Sequence, residues 1–199
     1  MRVYLAFLIL FCLASTGLPR PAFAASFGQV VAQEGSVIAF RQDAPLALHI
    51  GARLEVGDRI VTGAASRLRI GLPDGSTFSL GAETDITLSA LESESGFVSL
   101  LFGILRSSLS SERQGGFEVR TPSAVASVRS TDWIVEVLEH KSAVFVVDGR
   151  VAVTDEGASG QVVLDPGFGT DVPQSGQPST PKQWGAPRVE EAIARTALP

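Results

Sequence analysis

The chain has 199 residues, 45% of them hydrophobic and 19% charged, with 16 lysines and arginines against 21 aspartates and glutamates. A net charge of −5 repels phosphate, which makes nucleic acid and anionic lipid surfaces poor partners. One cysteine and two histidines exclude a disulfide framework and a thiolate zinc site.

Residues 1–24 carry Arg2, an apolar run from Val3 to Leu13, a polar break at Ser15-Thr16-Gly17 and the small-residue site Ala22-Phe23-Ala24. This is the layout of a secretory signal peptide, cleaved after Ala24. The apolar run is shorter than the roughly 20 residues that span a bilayer, and Pro19 and Pro21 prevent its extension as a helix. Cys12 follows Ile9-Leu10-Phe11 rather than small residues, so a lipid anchor is not expected, and the cysteine leaves with the leader. The expected location is periplasmic or secreted, with no membrane span after cleavage.

From Phe27 to Val172 short apolar runs alternate with polar residues and are punctuated by glycine. Leu68 to Leu72 and Phe78 to Leu80 flank Pro73-Asp74-Gly75-Ser76, which predicts a hairpin. Further strands are predicted over Ile86-Thr87-Leu88, Phe117-Glu118-Val119, Ile134 to Val137 and Val151-Ala152-Val153, all rich in β-branched residues. Turn signals, Gly103 and Asp148-Gly149 among them, recur about every 8–12 residues. The chain has no asparagine, so Gly and Asp are expected to supply nearly all positive-φ positions. The fold class expected is all-β: a single domain, residues 27–172, of short antiparallel strands and hairpins arranged as a sandwich, roll or β-solenoid-like stack.

Residues 173–199 form a Pro/Gly/Ser-rich linker followed by a short helix, Arg188 to Leu198, with Val189, Ala192 and Ile193 on one side. So short a helix is marginal alone and must dock to persist. Trp184, the one large apolar residue of the linker, either packs back on the domain or stands free as a partner anchor.

Catalytic patterns are missing. There is no G-x-S-x-G, H-E-x-x-H, phosphate loop or dinucleotide fingerprint. Ser179-Thr180-Pro181-Lys182 matches S-x-x-K but lies in the linker, where nothing holds a nucleophile and base in register. Asp58, Asp74, Asp132, Asp148 and Asp165 are carboxylates of the type glycosidases use, yet all but Asp132 adjoin glycine or proline and read as turn residues. His49 and His140 sit on separate segments, and Glu92-Ser93-Glu94-Ser95 reads as a solvated loop. The expectation is a protein without catalytic activity, cofactor or metal.

Several segments together resemble the FecR domain family. Gly51 to Gly63, containing Gly57-Asp58 and Thr62, is similar to its opening stretch, and Leu68 to Leu80 around Asp74-Gly75-Ser76 to the hairpin that follows. Leu101-Phe102-Gly103-Ile104-Leu105, Phe117 to Thr121-Pro122 and Val128-Arg129-Ser130-Thr131-Asp132-Trp133-Ile134-Val135 come next, and Val144 to Val153 around Asp148-Gly149 is similar to the closing hairpin. The family usually has Arg-Gly-Thr where this chain has Arg129-Ser130-Thr131. Structural roles are expected for Gly57, Asp58, Thr62, Asp74, Gly75, Thr121, Pro122, Arg129, Thr131 and Gly149.

In the family's regulators, the resemblance implies a cytoplasmic segment that handles a sigma factor, a membrane span, and a periplasmic FecR domain receiving a signal from an outer-membrane receptor. Here the leader runs straight into the β domain, so only the periplasmic recognition half is expected. The function expected is an exported envelope protein-binding module in cell-surface signalling, its partner an envelope protein or cell-wall component. The alternative is a structural envelope protein that binds peptidoglycan or self-assembles.

Overall fold

Period-2 alternation gives each strand one apolar face, and two sheets close on each other to bury it. A computed structural model describes residues 26–90, 96–113 and 115–198. The expected leader and Glu92-Ser93-Glu94-Ser95 lie outside the described residues.

Sheet I contains β1 (Ser26–Glu34), β4 (Arg53–Glu55), β6 (Arg67–Gly71), β7 (Thr77–Leu80), β9 (Gly96–Ser108), β12 (Asp132–Leu138), β13 (Lys141–Asp148), β16 (Phe168–Pro173) and β17 (Lys182–Gln183). Their spatial order is β4-β1-β6-β7-β9-β12-β13-β16-β17. Sheet II adds β2 (Val37–Arg41), β3 (Ala44–Leu46), β5 (Arg59–Thr62), β8 (Asp85–Ala90), β10 (Phe117–Arg120), β11 (Ala124–Val128), β14 (Val151–Asp155) and β15 (Gln161–Leu164). Its order is β3-β2-β5-β8-β9-β10-β11-β14-β15.

The long strand β9 belongs to both sheets. Its first half pairs with β8 and β10, its second half with β7 and β12. Gly103, where the sequence signalled a turn, is instead the bend inside this strand, with φ of +93°. A Cβ there would lie 2.5 Å from Cα of Thr84 and 2.7 Å from the carbonyl oxygen of Glu83. Three further expectations are corrected. The pair β9–β10 is parallel rather than antiparallel, with Phe117 beside Gly96 and Arg120 beside Ser99, so that β10 begins next to the start of β9. Asp148-Gly149 does not close a hairpin, since β13 and β14 lie in different sheets and the segment crosses between them. Positive φ is also held by Gln42, Ala65, Glu83 and Ala158, so Gly and Asp do not supply nearly all such positions.

The inner faces form one core. Phe78 of sheet I sits 5.9 Å from Phe27 and 4.9 Å from Phe117 of sheet II, ring centre to ring centre, and Trp133 is fully buried in the same cluster. Burying each such side chain contributes about 1.5–3 kcal/mol against conformational entropy.

The other face of sheet I is covered too. Ile104, Ile134 and Phe145 point away from the inner core and meet Ala192, Val189 and Ile193 of α1 (Ala186–Thr196). Trp184 stacks on Phe145 at 4.7 Å, so of its two placements the packed one is adopted. The Arg188 guanidinium lies over the indole at 3.5 Å. Pro187 falls in the first turn, where its missing N–H costs nothing. Arg67 and Arg69 donate to the carbonyls of Arg195 and Leu198 at the helix C-terminal end, where cations favour the helix dipole, and Arg195 pairs with Glu136. The linker is fastened by Thr170 Oγ1 donating to Ser179 O at 2.7 Å and Ser179 N–H to Asp171 O at 2.9 Å. Sheet II, by contrast, turns its second face to solvent, with Ile38 51%, Leu101 59% and Val163 51% exposed.

Candidate binding groove

The residues singled out by sequence stand largely at corners, most of them where the chain passes from one sheet to the other. Gly57-Asp58 joins β4 to β5. Gly57 has φ of +96° and donates its N–H to Leu88 O at 2.7 Å. Asp58 is fully buried; its Oδ2 accepts the Glu55 N–H at 2.8 Å, and Arg41 grips both carboxylate oxygens at 2.8 Å each. Thr62, at the end of β5, donates from Oγ1 to Gly81 O at 2.6 Å and accepts the Thr84 N–H at 2.8 Å.

Asp74-Gly75 forms the hairpin turn between β6 and β7. Gly75 has φ of +82°, and Asp74 accepts the Ser76 N–H at 2.9 Å and Arg113 Nη1 at 2.6 Å. Burial alone would push the Asp74 carboxyl up, but the Ser76 donors and the Arg113 guanidinium outweigh it and hold the group below the ordinary aspartate value of 3.8. A carboxyl lowered on folding contributes stability that is complete above its unfolded value and is lost as pH falls through its folded one. Asp74→Asn is therefore expected to melt below the wild type at neutral pH, with the gap closing as pH drops beneath 3.8. A gap that is constant from neutral pH down to about pH 2 would show that ionisation of Asp74 contributes nothing.

Thr121-Pro122 turns the chain between β10 and β11. Thr121 Oγ1 accepts the Ala124 N–H at 2.8 Å and the Ser142 hydroxyl at 2.7 Å, which ties this hairpin of sheet II to β13 of sheet I, and Pro122 is exposed.

Arg129-Ser130-Thr131 crosses from β11 to β12, and Gly149 crosses back from β13 to β14. Thr131 is buried, donates from Oγ1 to Arg150 O at 3.2 Å, and accepts the Leu109 N–H at 3.0 Å. Gly149 has φ of +88°, and a Cβ on it would lie 2.7 Å from Ser130 O, so the two crossovers pack backbone to backbone. Ser130 and Arg129 are exposed, and Arg129 makes no hydrogen bond or ion pair with a described residue.

These crossovers wall one end of a groove of about 720 Å³ on the solvent face of sheet II. That is more than twice the volume of the clefts beside Arg53, about 270 Å³, and Trp184, about 310 Å³. Its floor is the line Ser127, Ala152 and Val163, which the register places side by side on β11, β14 and β15. Arg129 and Arg150 stand at the walled end. Sequence reasoning found Arg129 and Thr131 but not Arg150 or the floor, whose only signal is that they are small or apolar residues on the outward parity of their strands.

The other candidates stay apart. Asp132 is held by Arg106 at 2.9 and 2.7 Å on the far face of sheet I, and Asp165 pairs with Arg150 at 2.9 Å. His49 and His140 are exposed, and no group of three or more metal-ligating side chains occurs among the described residues.

Residues 58–152 match the family described as FecR protein. The chain carries a FecR domain. The matched FecR segment begins on the buried carboxylate of one corner and ends on the groove floor at Ala152, so it takes in both the Arg129–Thr131 and Gly149 crossovers. Two crystal structures from Parabacteroides distasonis ATCC 8503, at 1.65 and 2.50 Å, each described as a "putative anti-sigma factor", share the FecR-like fold. Their TM-scores are 0.58 and 0.57 at 21% identity, over 66% of this chain and 62% of theirs. No curated protein matches the chain.

Proposed function

We propose that this chain is an exported envelope module that binds a protein partner in cell-surface signalling and catalyses no reaction. The FecR match over residues 58–152 carries the reading, and a fold shared with proteins described as anti-sigma factors fits the same role. The leader-like residues 1–24 support export, and no helix of the described residues is long and apolar enough to cross a membrane. One uncovered sheet face beside one covered face gives the module a surface to present.

The test is cross-linking in intact cells with tagged protein, followed by fractionation. The expected result is a single envelope protein recovered in stoichiometric amount with the tagged chain from the periplasmic fraction. Sedimentation of the chain with purified cell wall, with no protein cross-linked, would replace this reading with the structural one.

A further inference from the structure

Both sheets end in strands with a free side, and three of the four edges are blunted. β3 contains Pro45, which offers no N–H; β4 is three residues long and ends in Arg53 and Glu55; β17 is two residues long and includes Lys182. The fourth, β15, reads Gln161-Val162-Val163-Leu164 and among the described residues pairs with β14 alone. It has neither charge nor proline, and Val163 is half exposed. An unprotected apolar edge invites another strand.

Charge points to what that strand carries. In a chain of net charge −5, the groove beside β15 gathers two guanidiniums. Arg129 has no partner among the described residues. Arg150 meets Asp165 through a single contact with 72% and 61% of the side chains exposed, a pair worth about 0–1 kcal/mol and readily exchanged. Glu118, which the register sets beside Ser127 on the β10 side of the floor, is taken by Arg120. Free positive charge is therefore concentrated at the walled end.

We propose that β15 receives an extended acidic peptide segment of the partner as an added strand. Its outward carboxylates are seated by Arg150, one strand in from β15, while Arg129, two strands in, adds attraction across the groove, and its alternate apolar residues turn inward beside Val162 and Leu164. Backbone pairing supplies the affinity and the arginines select the charge. The inference rests on the protein-binding reading above and names its site and partner chemistry.

The probe is an end-blocked synthetic peptide of alternating valine and glutamate, with a valine–lysine peptide as counterpart, titrated by fluorescence anisotropy against the full protein recovered from the periplasm of its expression host. The glutamate peptide is expected to bind, the lysine peptide to bind roughly tenfold more weakly or not at all, and Arg129→Glu/Arg150→Glu to weaken the first by roughly tenfold at an unchanged melting temperature. Amide exchange at Val162 to Leu164 is expected to slow in the complex. Equal binding of both peptides, no binding, or protection confined to other strands would overturn the assignment. If the double variant still cross-links the partner that the wild type does, the groove is wrong while the signalling module stands; if the wild type cross-links no protein, that earlier reading fails by itself. Wild-type sedimentation with cell wall that the double variant loses would give the arginines to a wall polymer and likewise overturn the peptide.

Discussion

Gly103→Ala is expected to lower stability by roughly 3–5 kcal/mol, a large share of the about 5–15 kcal/mol that holds a domain of ordinary stability. An L side chain at φ of +93° costs about 1–2 kcal/mol on its own. The added Cβ would also lie 2.5 Å from Cα of Thr84, and backbone atoms cannot swing aside as a side chain can. Relief would require β8 and β9 to part, and β9 is the strand on which both sheets are built. Gly75→Ala is the control: φ is +82° and nothing lies within 4 Å of the added atom, so it should cost only the conformational part, about 1 kcal/mol. Urea denaturation of both variants measures the difference. Equal losses would mean that the approach of β9 to Thr84 is not a constraint.

Asp58→Ala should cost about 2–3 kcal/mol. The carboxylate is wholly buried, and its loss strands the Glu55 N–H and one side of Arg41 without an acceptor. Removing one member of a fully buried pair costs about 3–5 kcal/mol; here the Arg41 side chain is 33% exposed and retains Glu55, so water recovers part of that. Asp58→Asn preserves the acceptor for Glu55 and should fall between Ala and wild type in thermal melts. A D58A protein that melts with the wild type would remove Asp58 from the corner's support.

Local chemistry made several elements readable in advance. The β6–β7 hairpin was legible because alternation on both sides of Asp74-Gly75 agrees with the turn those residues form. The strand segments Ile86 to Leu88, Phe117 to Val119 and Ile134 to Val137 stood out for the same reason. Gly103 and Gly149 misled in opposite ways: a positive-φ glycine looks alike in sequence whether it bends a strand, crosses between sheets or closes a hairpin, and only tertiary pairing separates the three. The tail was readable as a helix but not as a cover, because what it covers, Ile104, Ile134 and Phe145, lies on strands whose inward neighbours are equally apolar. Of the groove, the crossover residues had a signal of residue type, whereas the floor depends on the register of β11, β14 and β15.

Because the covered sheet has a core on each side, the chain's two tryptophans are optical reporters of different interfaces. Trp133 is sealed in the inner core with no hydrogen-bond partner for its indole N–H among the described residues, so its emission should be blue-shifted and change only when the whole domain opens. Trp184 is partly exposed, stacked on Phe145 and capped by a guanidinium, so its emission follows release of the tail. A Trp184→Phe protein isolates the first signal. Subtracting it from the wild-type spectrum leaves the second, so detachment of the C-terminal strap and loss of the sandwich can be followed as separate events in one melting curve.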